Sequence, residues 1–499
     1  MAPTVVEEGI VQQLVNTDKV RWWNKPNLRT LYLLLVPFCL FIESTSGFDS
    51  SMMNGMQALV YWKEYFNNPE GGMLGLLVAC YNLGALTSIP FVSIVSDHVG
   101  RRWSIVFGSV IMIIGSLMQG LSQNLAMFVF SRIFLGHGIV YAIIAGAALL
   151  GELGHPKERA FLGSMFNAFY GVGAVLGAGI VVRTINIPND WSWRLPSMLQ
   201  ALPSLLQIAF AFTVPESPRW LVSKDRSEEA LQILIKYHAE GDASNELPHI
   251  ELAEIQKALE IENESRKRGW VELFQTAGMR RRSLVSGALG MFVQFSGNSL
   301  ISQYLVPILE MIGIKDRQQQ VRYNVGKEAW GLIVGIVLAS ITPRFPRRRM
   351  YLLCASCLLL CYTGWTVAQA RNRITGSVES GYAVLVFIFL YSPAYCLGYN
   401  ALTYVYMVEI FPYYVRSFVN PIGLKDIGWK YLLVYVCWLC FEVVFIYFFF
   451  PETFGKTLEE LTFLFDDEED AKQALAATAE KVRQDPTVTE IHESAEKKA

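Results

Sequence analysis

Four ionisable side chains stand in stretches that are otherwise apolar: Glu43, Asp49, Arg132 and Glu442. A charge at the centre of a bilayer costs about 3 kcal/mol or more, so it persists only with a partner or a task. Asp49 lies in Gly47-Phe48-Asp49-Ser50, with Asn54 and Gly55 close behind, and Arg132 opens the segment that runs to Gly138. An Asp and an Arg on neighbouring helices neutralise one another, and protonating the carboxylate releases the guanidinium. Two readings stay open: a proton relay whose two states differ in local charge, and a static ion pair that fixes helix packing. Glu43 is turned about 120° from Asp49 on a helix and does not share its face. His137, a lone histidine beside Arg132, reads as a packing or hydrogen-bonding residue rather than a catalytic one.

A second cluster is uncharged: Gln294, Ser296, Gly297, Asn298, Ser299, Ser302 and Gln303. Gln294, Asn298 and Ser302 follow an i, i+4, i+8 spacing and so share one helical face. Amides there both donate and accept, which suits a ligand with many hydroxyl groups. Polar contacts between helices are the alternative. No Ser-His-Asp set, metal-ligand cluster or phosphate loop is present, so neither an enzyme nor a cofactor nor a metal is expected. The eight cysteines all lie in apolar runs. Cys354, Cys357 and Cys361 share a face but read as small packing residues, since a zinc site needs converging ligands.

The elements that hold these residues follow from composition. The chain has 499 residues, of which 52% are hydrophobic and 17% charged. A soluble chain carries roughly 25% charged residues. The apolar excess comes in runs about 20 residues long, the length that crosses a bilayer. This predicts an all-α polytopic membrane protein and excludes a soluble enzyme and a disordered chain. A net charge of -2 supplies no basic field for nucleic acid. Runs lie near 31–54, 72–95, 104–122, 125–149, 161–182 and 195–213, then near 283–307, 328–343, 350–370, 382–408 and 428–450. Between the two groups is a polar block, 214–280, in which Ser227, Glu228 and Glu229 start a helix before Leu231, Leu234 and Ile235.

The expected organisation is therefore a cytosolic segment 1–30, a six-helix bundle 31–213, a cytosolic helical linker 214–280, a second bundle 281–450 and a cytosolic tail 451–499. Arg101, Arg102, Lys157, Arg159, the linker cations and Arg347 to Arg349 place the even joints and both termini in the cytosol. Lys315, Arg317, Arg322 and Lys327 are read as cations of the opposite-side joint between spans 7 and 8. No secretory leader is expected, because the first 30 residues are polar.

Several motifs within Leu31 to Phe465 resemble those of the sugar porters of the major facilitator superfamily, in particular the fungal branch of lactose permease-like and hexose transporters. They are Asp97-His-Val-Gly100-Arg101-Arg102, Gly151-Glu152 with Lys157-Glu-Arg159, Trp191-Ser-Trp-Arg194-Leu-Pro196, Pro215-Glu-Ser-Pro-Arg-Trp-Leu221, Gln294-Phe-Ser-Gly-Asn298 with Gln303-Tyr304-Leu305, Glu409-Ile-Phe-Pro-Tyr-Tyr-Val-Arg416, and Pro451-Glu-Thr-Phe-Gly-Lys-Thr-Leu458. The resemblance implies two six-helix bundles around one mid-membrane sugar site, with transport by alternating access. It implies proton coupling at Asp49 and Arg132, and a sugar site at Gln294, Asn298, Ser302, Tyr304, Asn400 and Tyr404. It also implies an inside-gate charge network pairing Asp97 with Arg101 and Arg102, Glu152 with Arg159, and Glu409 with Arg416. The implied partners are a sugar, a proton and the lipid bilayer, and the implied location is the plasma membrane. A facilitative uniporter, a non-transporting sugar sensor and an inactive truncated copy are the alternatives.

The chain departs from the family pattern in places. Ser93 replaces a glycine, Pro343 and Pro346 replace an Asp and a Gly, and Ala168 and Val175 stand where many sugar porters place glutamines. Only eleven residues, Ser417 to Ile427, separate Arg416 from Gly428, where the family places a whole span. As a helix they reach about 16 Å, against roughly 30 Å of hydrocarbon. Span 11 is thus expected to be largely missing, leaving about 11 spans. A splice error, a wrong gene model or a decayed copy explains this more simply than a native eleven-span design.

Overall fold

The computed structural model describes residues 20–69, 71–266, 277–341, 345–400, 402–403, 406 and 430–451. Tyr404, Glu409, Arg416, the short joint Ser417 to Ile427, Pro343 and the tail beyond Pro451 lie outside the described residues.

The first bundle begins with α1, Pro26–Met56. Proline at its first position removes a donor that a helix start cannot use. A second proline, Pro37, loosens the helix into a π turn at Val36–Leu40, because its ring clashes with the preceding turn. After Met56 come the short α2 (Val60–Tyr65), then α3 (Gly71–Val99), α4 (Arg101–Gly120), α5 (Leu125–Leu153) and α6 (Arg159–Thr184). Span 6 is a pair, α7 (Trp191–Leu199) and α8 (Leu202–Phe210). The linker folds as α9 (Pro218–Ser223), α10 (Ser227–His238) and α11 (Glu246–Arg266), and α10 starts at Ser227 as its sequence signal predicts.

The second bundle holds α12 (Ala277–Phe295), α13 (Asn298–Gln303), α14 (Leu305–Met311), α15 (Arg317–Ile341), α16 (Arg347–Thr375), α17 (Val378–Tyr395) with a π turn over Cys396–Asn400, and α18 (Lys430–Phe449). Eight helices are long and apolar enough to cross a membrane. The three further spans expected from the sequence fall on the α7–α8 pair, α15 and α18. Their outward faces carry large apolar side chains such as Phe91, Phe130, Leu360, Val386 and Phe448, as a lipid-facing surface requires.

Small residues draw the helices together. A Cβ on Gly173 of α6 would fall 1.7 Å from the Ser44 carbonyl oxygen of α1, so the two backbones touch. Gly177 meets Phe48 in the same way, and Gly171 meets Leu332 of α15 across the bundles, whereas Gly179 faces open space. Each bundle has its own apolar core, around Leu35, Met112 and Leu149 in the first and Phe292, Tyr351 and Leu358 in the second. A third cluster, built on Trp62, Phe66, Phe128 and Trp193, takes in Val306 and Val321 and so joins the two.

Candidate functional site

Asp49 and Arg132 meet. Arg132 Nη1 donates to Asp49 Oδ1, and the two residues are 1% and 4% exposed respectively. The guanidinium also donates from Nε to the Leu77 carbonyl at 3.3 Å and sits over the Tyr81 ring. One side chain on α5 thereby ties α1 and α3. Glu43 is buried one and a half turns earlier on α1. Glu442 on α18 is fully buried and accepts from the Tyr399 hydroxyl at 2.7 Å. His137 hydrogen-bonds Thr87 at 3.0 Å and Tyr141 at 3.4 Å, in keeping with a hydrogen-bonding role.

The two bundles touch through side chains of the second half of α1, on the side away from the linker helices. Gln57 Nε2 donates to the Gln303 carbonyl at 2.6 Å, and Gln303 Nε2 donates to Ser50 Oγ at 3.0 Å. Asn54 Nδ2 donates to Asn324 Oδ1 at 3.1 Å, while Asn324 Nδ2 reaches Ser51 Oγ at 3.2 Å. Lys63 and Glu310 add an ion pair at 3.6 Å. Together with the Trp62 cluster, these contacts close that side. Gln57 and Asn324 escaped the sequence reading, because an isolated amide in a span carries no periodic signal.

The span 7 residues are not one stripe. Gly297, at φ +90°, breaks the helix, so Gln294 lies on α12 and Asn298 and Ser302 on α13. The carbonyl of Gly297 accepts from Tyr362 Oη at 3.1 Å, and a Cβ there would collide with that hydroxyl, which leaves glycine as the residue that fits. Ser302 Oγ donates to Asn298 Oδ1 at 3.1 Å. Gln294 is exposed and Tyr304 is half-buried against the Trp62 cluster. Asn400 ends the π turn of span 10, beside Gly335 of α15.

On the linker side the charge network is wired differently from the family expectation. Arg101 pairs with Asp97 at 3.6 Å, as expected, but also with Glu152 at 3.5 Å. Arg102 turns to Glu216 through its backbone N–H at 3.2 Å and to the Val214 carbonyl through its guanidinium. Glu152 accepts from Ser217 Oγ, and Arg159 bonds Glu251 at 3.2 Å instead of Glu152. The cause is the linker, whose helices bring Glu216 and Glu251 closer to these cations than the expected partners.

Glu216 caps the start of α4 by accepting from Arg101 N at 3.0 Å. Gly100, at φ +99°, makes the turn, and a Cβ there would fall 2.5 Å from the Glu216 carboxylate. Burial raises the Glu216 carboxyl above its usual range, against the backbone N–H groups that lower it. For Glu251, burial pushes upward, but His238 and Arg159 outweigh it and hold the carboxyl below its usual range. His238 Nδ1 faces Glu251 Oε2 at 2.5 Å and Nε2 faces the Leu153 carbonyl at 3.2 Å. Both partners only accept, so both bonds form when both ring nitrogens carry protons. Glu240, in turn, accepts from the N–H groups of Asn27 and Leu28 at the start of α1.

One further pair went unread in the sequence. Lys327 does not lie in a joint: it stands ten residues inside α15, 5% exposed, with its Nζ 2.6 Å from Glu328 Oε1. Hydropathy placed the span start at 328, because the first turns of α15 are polar.

Two bundles of membrane-length helices, with a buried interhelical ion pair and a clasp at the bundle interface, define a polytopic membrane protein. The family described as Sugar (and other) transporter matches residues 36–424. The chain belongs to that family, within the major facilitator superfamily. It is 26% identical over 448 residues to the MFS-type transporter criB of Aspergillus cristatus, covering 87% of this chain and 94% of that one. It is 26% identical to a high-affinity glucose transporter of Kluyveromyces lactis, covering 83% and 81%. The fold is similar to that of the proton:xylose symporter XylE bound to 6-bromo-6-deoxy-D-glucose, with TM-score 0.74 at 20% identity over 88% of this chain and all of that one.

Proposed function

We propose that the chain is a proton-coupled sugar symporter of the plasma membrane, working by alternating access between its two bundles. The buried Asp49–Arg132 pair carries this reading. Arg132 holds α1 and α3 to α5 while Asp49 is ionised. A proton on Asp49 removes the charge that holds Arg132, and the three helices are then free to shift. The sugar lies between the bundles, on Gln294, Asn298, Ser302, Tyr304, Asn400 and Tyr404. The clasp of Ser50, Asn54 and Gln57 with Gln303 and Asn324 closes the outer side. Arg101, Arg102 and Arg159, with Asp97, Glu152, Glu216 and Glu251, hold the cytosolic ends of the first bundle together when the inner side is closed. Glu409 and Arg416 are their counterparts in the second bundle. Both termini and the linker 214–280 are cytosolic, with a bundle on either side of the linker, 31–213 and 281–450.

The test is uptake by the full chain in liposomes at fixed membrane potential, with and without an inward proton gradient, across glucose, xylose, lactose and cellobiose. Accumulation of one sugar that follows the gradient supports symport. Equilibration that ignores the gradient makes the protein a uniporter, and no movement of any of them removes the reading.

A further inference from the structure

The Lys327–Glu328 pair has no structural task. A buried ion pair that stabilises a fold joins two elements, as Arg132 and Asp49 do. Adjacent residues on a helix do not face each other, and their side chains meet only when the long lysine stem bends round. Here the bond at 2.6 Å stays inside α15, and among the described residues neither side chain bonds another helix. Its position is nonetheless central. Glu328 lies one turn beyond Asn324, on the same face, and Asn324 bonds Ser51 and Asn54 of α1. Leu332, one turn further along that face, packs against Gly171 of α6, and Gly173 of α6 packs against Ser44 of α1.

We propose that Lys327 is the anchor for a carboxylate on the transported sugar, so that the substrate is a sugar acid, and that Glu328 keeps the empty site neutral. This deepens the symporter reading and rests on it. Lysine offers three donors and Glu328 occupies one of them. An arriving carboxylate shares the ammonium with Glu328, taking a second of its donors, and the proton that Asp49 takes from the outer solution in the symport step offsets the substrate's charge. The charges balance: Lys327, Glu328, Asp49 and Arg132 sum to zero before; with the substrate carboxylate present and Asp49 protonated they sum to zero again. One proton therefore travels with each anion.

The test uses the full chain in liposomes, with labelled D-glucose, D-glucuronate and D-gluconate, in wild type, Lys327→Met and the double variant Lys327→Met with Glu328→Gln. Wild type is expected to take up at least one of the two acids faster than glucose. Both variants are expected to lose acid uptake by more than about tenfold, because one partner of a desolvated charge pair has gone, and to lose less of any glucose uptake. Wild type that carries glucose but neither acid overturns the carboxylate and leaves sugar transport standing. Equal loss of acid and glucose in the variants overturns it too, by giving the pair a general role. Wild type that elutes as a single folded species yet moves none of the three sinks both readings. The comparison of acid with glucose in wild type needs no variant, and the double variant leaves no lone charge should Lys327→Met fold poorly.

Discussion

Asp49–Arg132 and Lys327–Glu328 are both ion pairs buried in the membrane-spanning part of the molecule, yet they differ in what they connect. The first crosses from α1 to α5 and carries α3 with it through the Leu77 carbonyl. The second begins and ends on α15. A charge that joins elements holds packing, and its loss leaves a lone ion among apolar neighbours. A charge pair confined to one helix contributes nothing to tertiary packing, so its desolvation is offset by no gain in the fold. The contrast separates a pair that joins helices from one that does not.

Breaking the interhelical pair should give the largest effect. Arg132→Met leaves Asp49 buried and alone and is expected to lower stability by about 3–5 kcal/mol. Thermal unfolding of the purified protein checks this, and Asp49→Asn added to Arg132→Met should recover part of the loss. Next comes the contact that brings α1 and α6 together. Gly173→Ala drives a methyl into the Ser44 carbonyl and should cost about 1–3 kcal/mol, whereas Gly179→Ala, in open space, should cost little. Equal melting temperatures for the two would remove close α1–α6 packing from the account.

The linker should respond to acid. The Glu251 carboxyl is held below its ordinary range in the folded protein. Its contribution is therefore present above the ordinary carboxylate range and lost as pH falls through the folded value. Hydrogen exchange of α10 and α11 should quicken as pH drops, relative to the intrinsic rate, and Glu251→Gln should flatten that dependence. The smallest effect belongs to the helix-internal pair. Replacing both residues, Lys327→Met with Glu328→Gln, removes both charges and leaves no lone ion, so melting should stay unchanged or rise slightly. A marked fall would mean that the pair holds the fold after all.

The helix pattern and the Asp49–Arg132 contact were legible in the sequence for one reason. An ionisable group in an apolar run must find an opposite charge, and few are available. The linker side was less legible. Arg159 bonds Glu251, which lies ninety-two residues away, and no local spacing reports where a helical linker folds back. Lys327 was misplaced because the face of α15 that meets the other bundle is polar, which lowers hydropathy where the helix is already well under way. The stripe from Gln294 to Ser302 failed at Gly297, since a glycine inside a helical pattern does not declare whether it will turn left-handed.

The most direct test of coupling follows Asp49→Asn. Purified protein in liposomes would be loaded with the transported substrate, and two quantities measured on the same preparation: accumulation under an inward proton gradient, and exchange of labelled for unlabelled substrate with no gradient. The account predicts that Asp49→Asn exchanges substrate but no longer accumulates it. Accumulation at the wild-type level in that variant would contradict it.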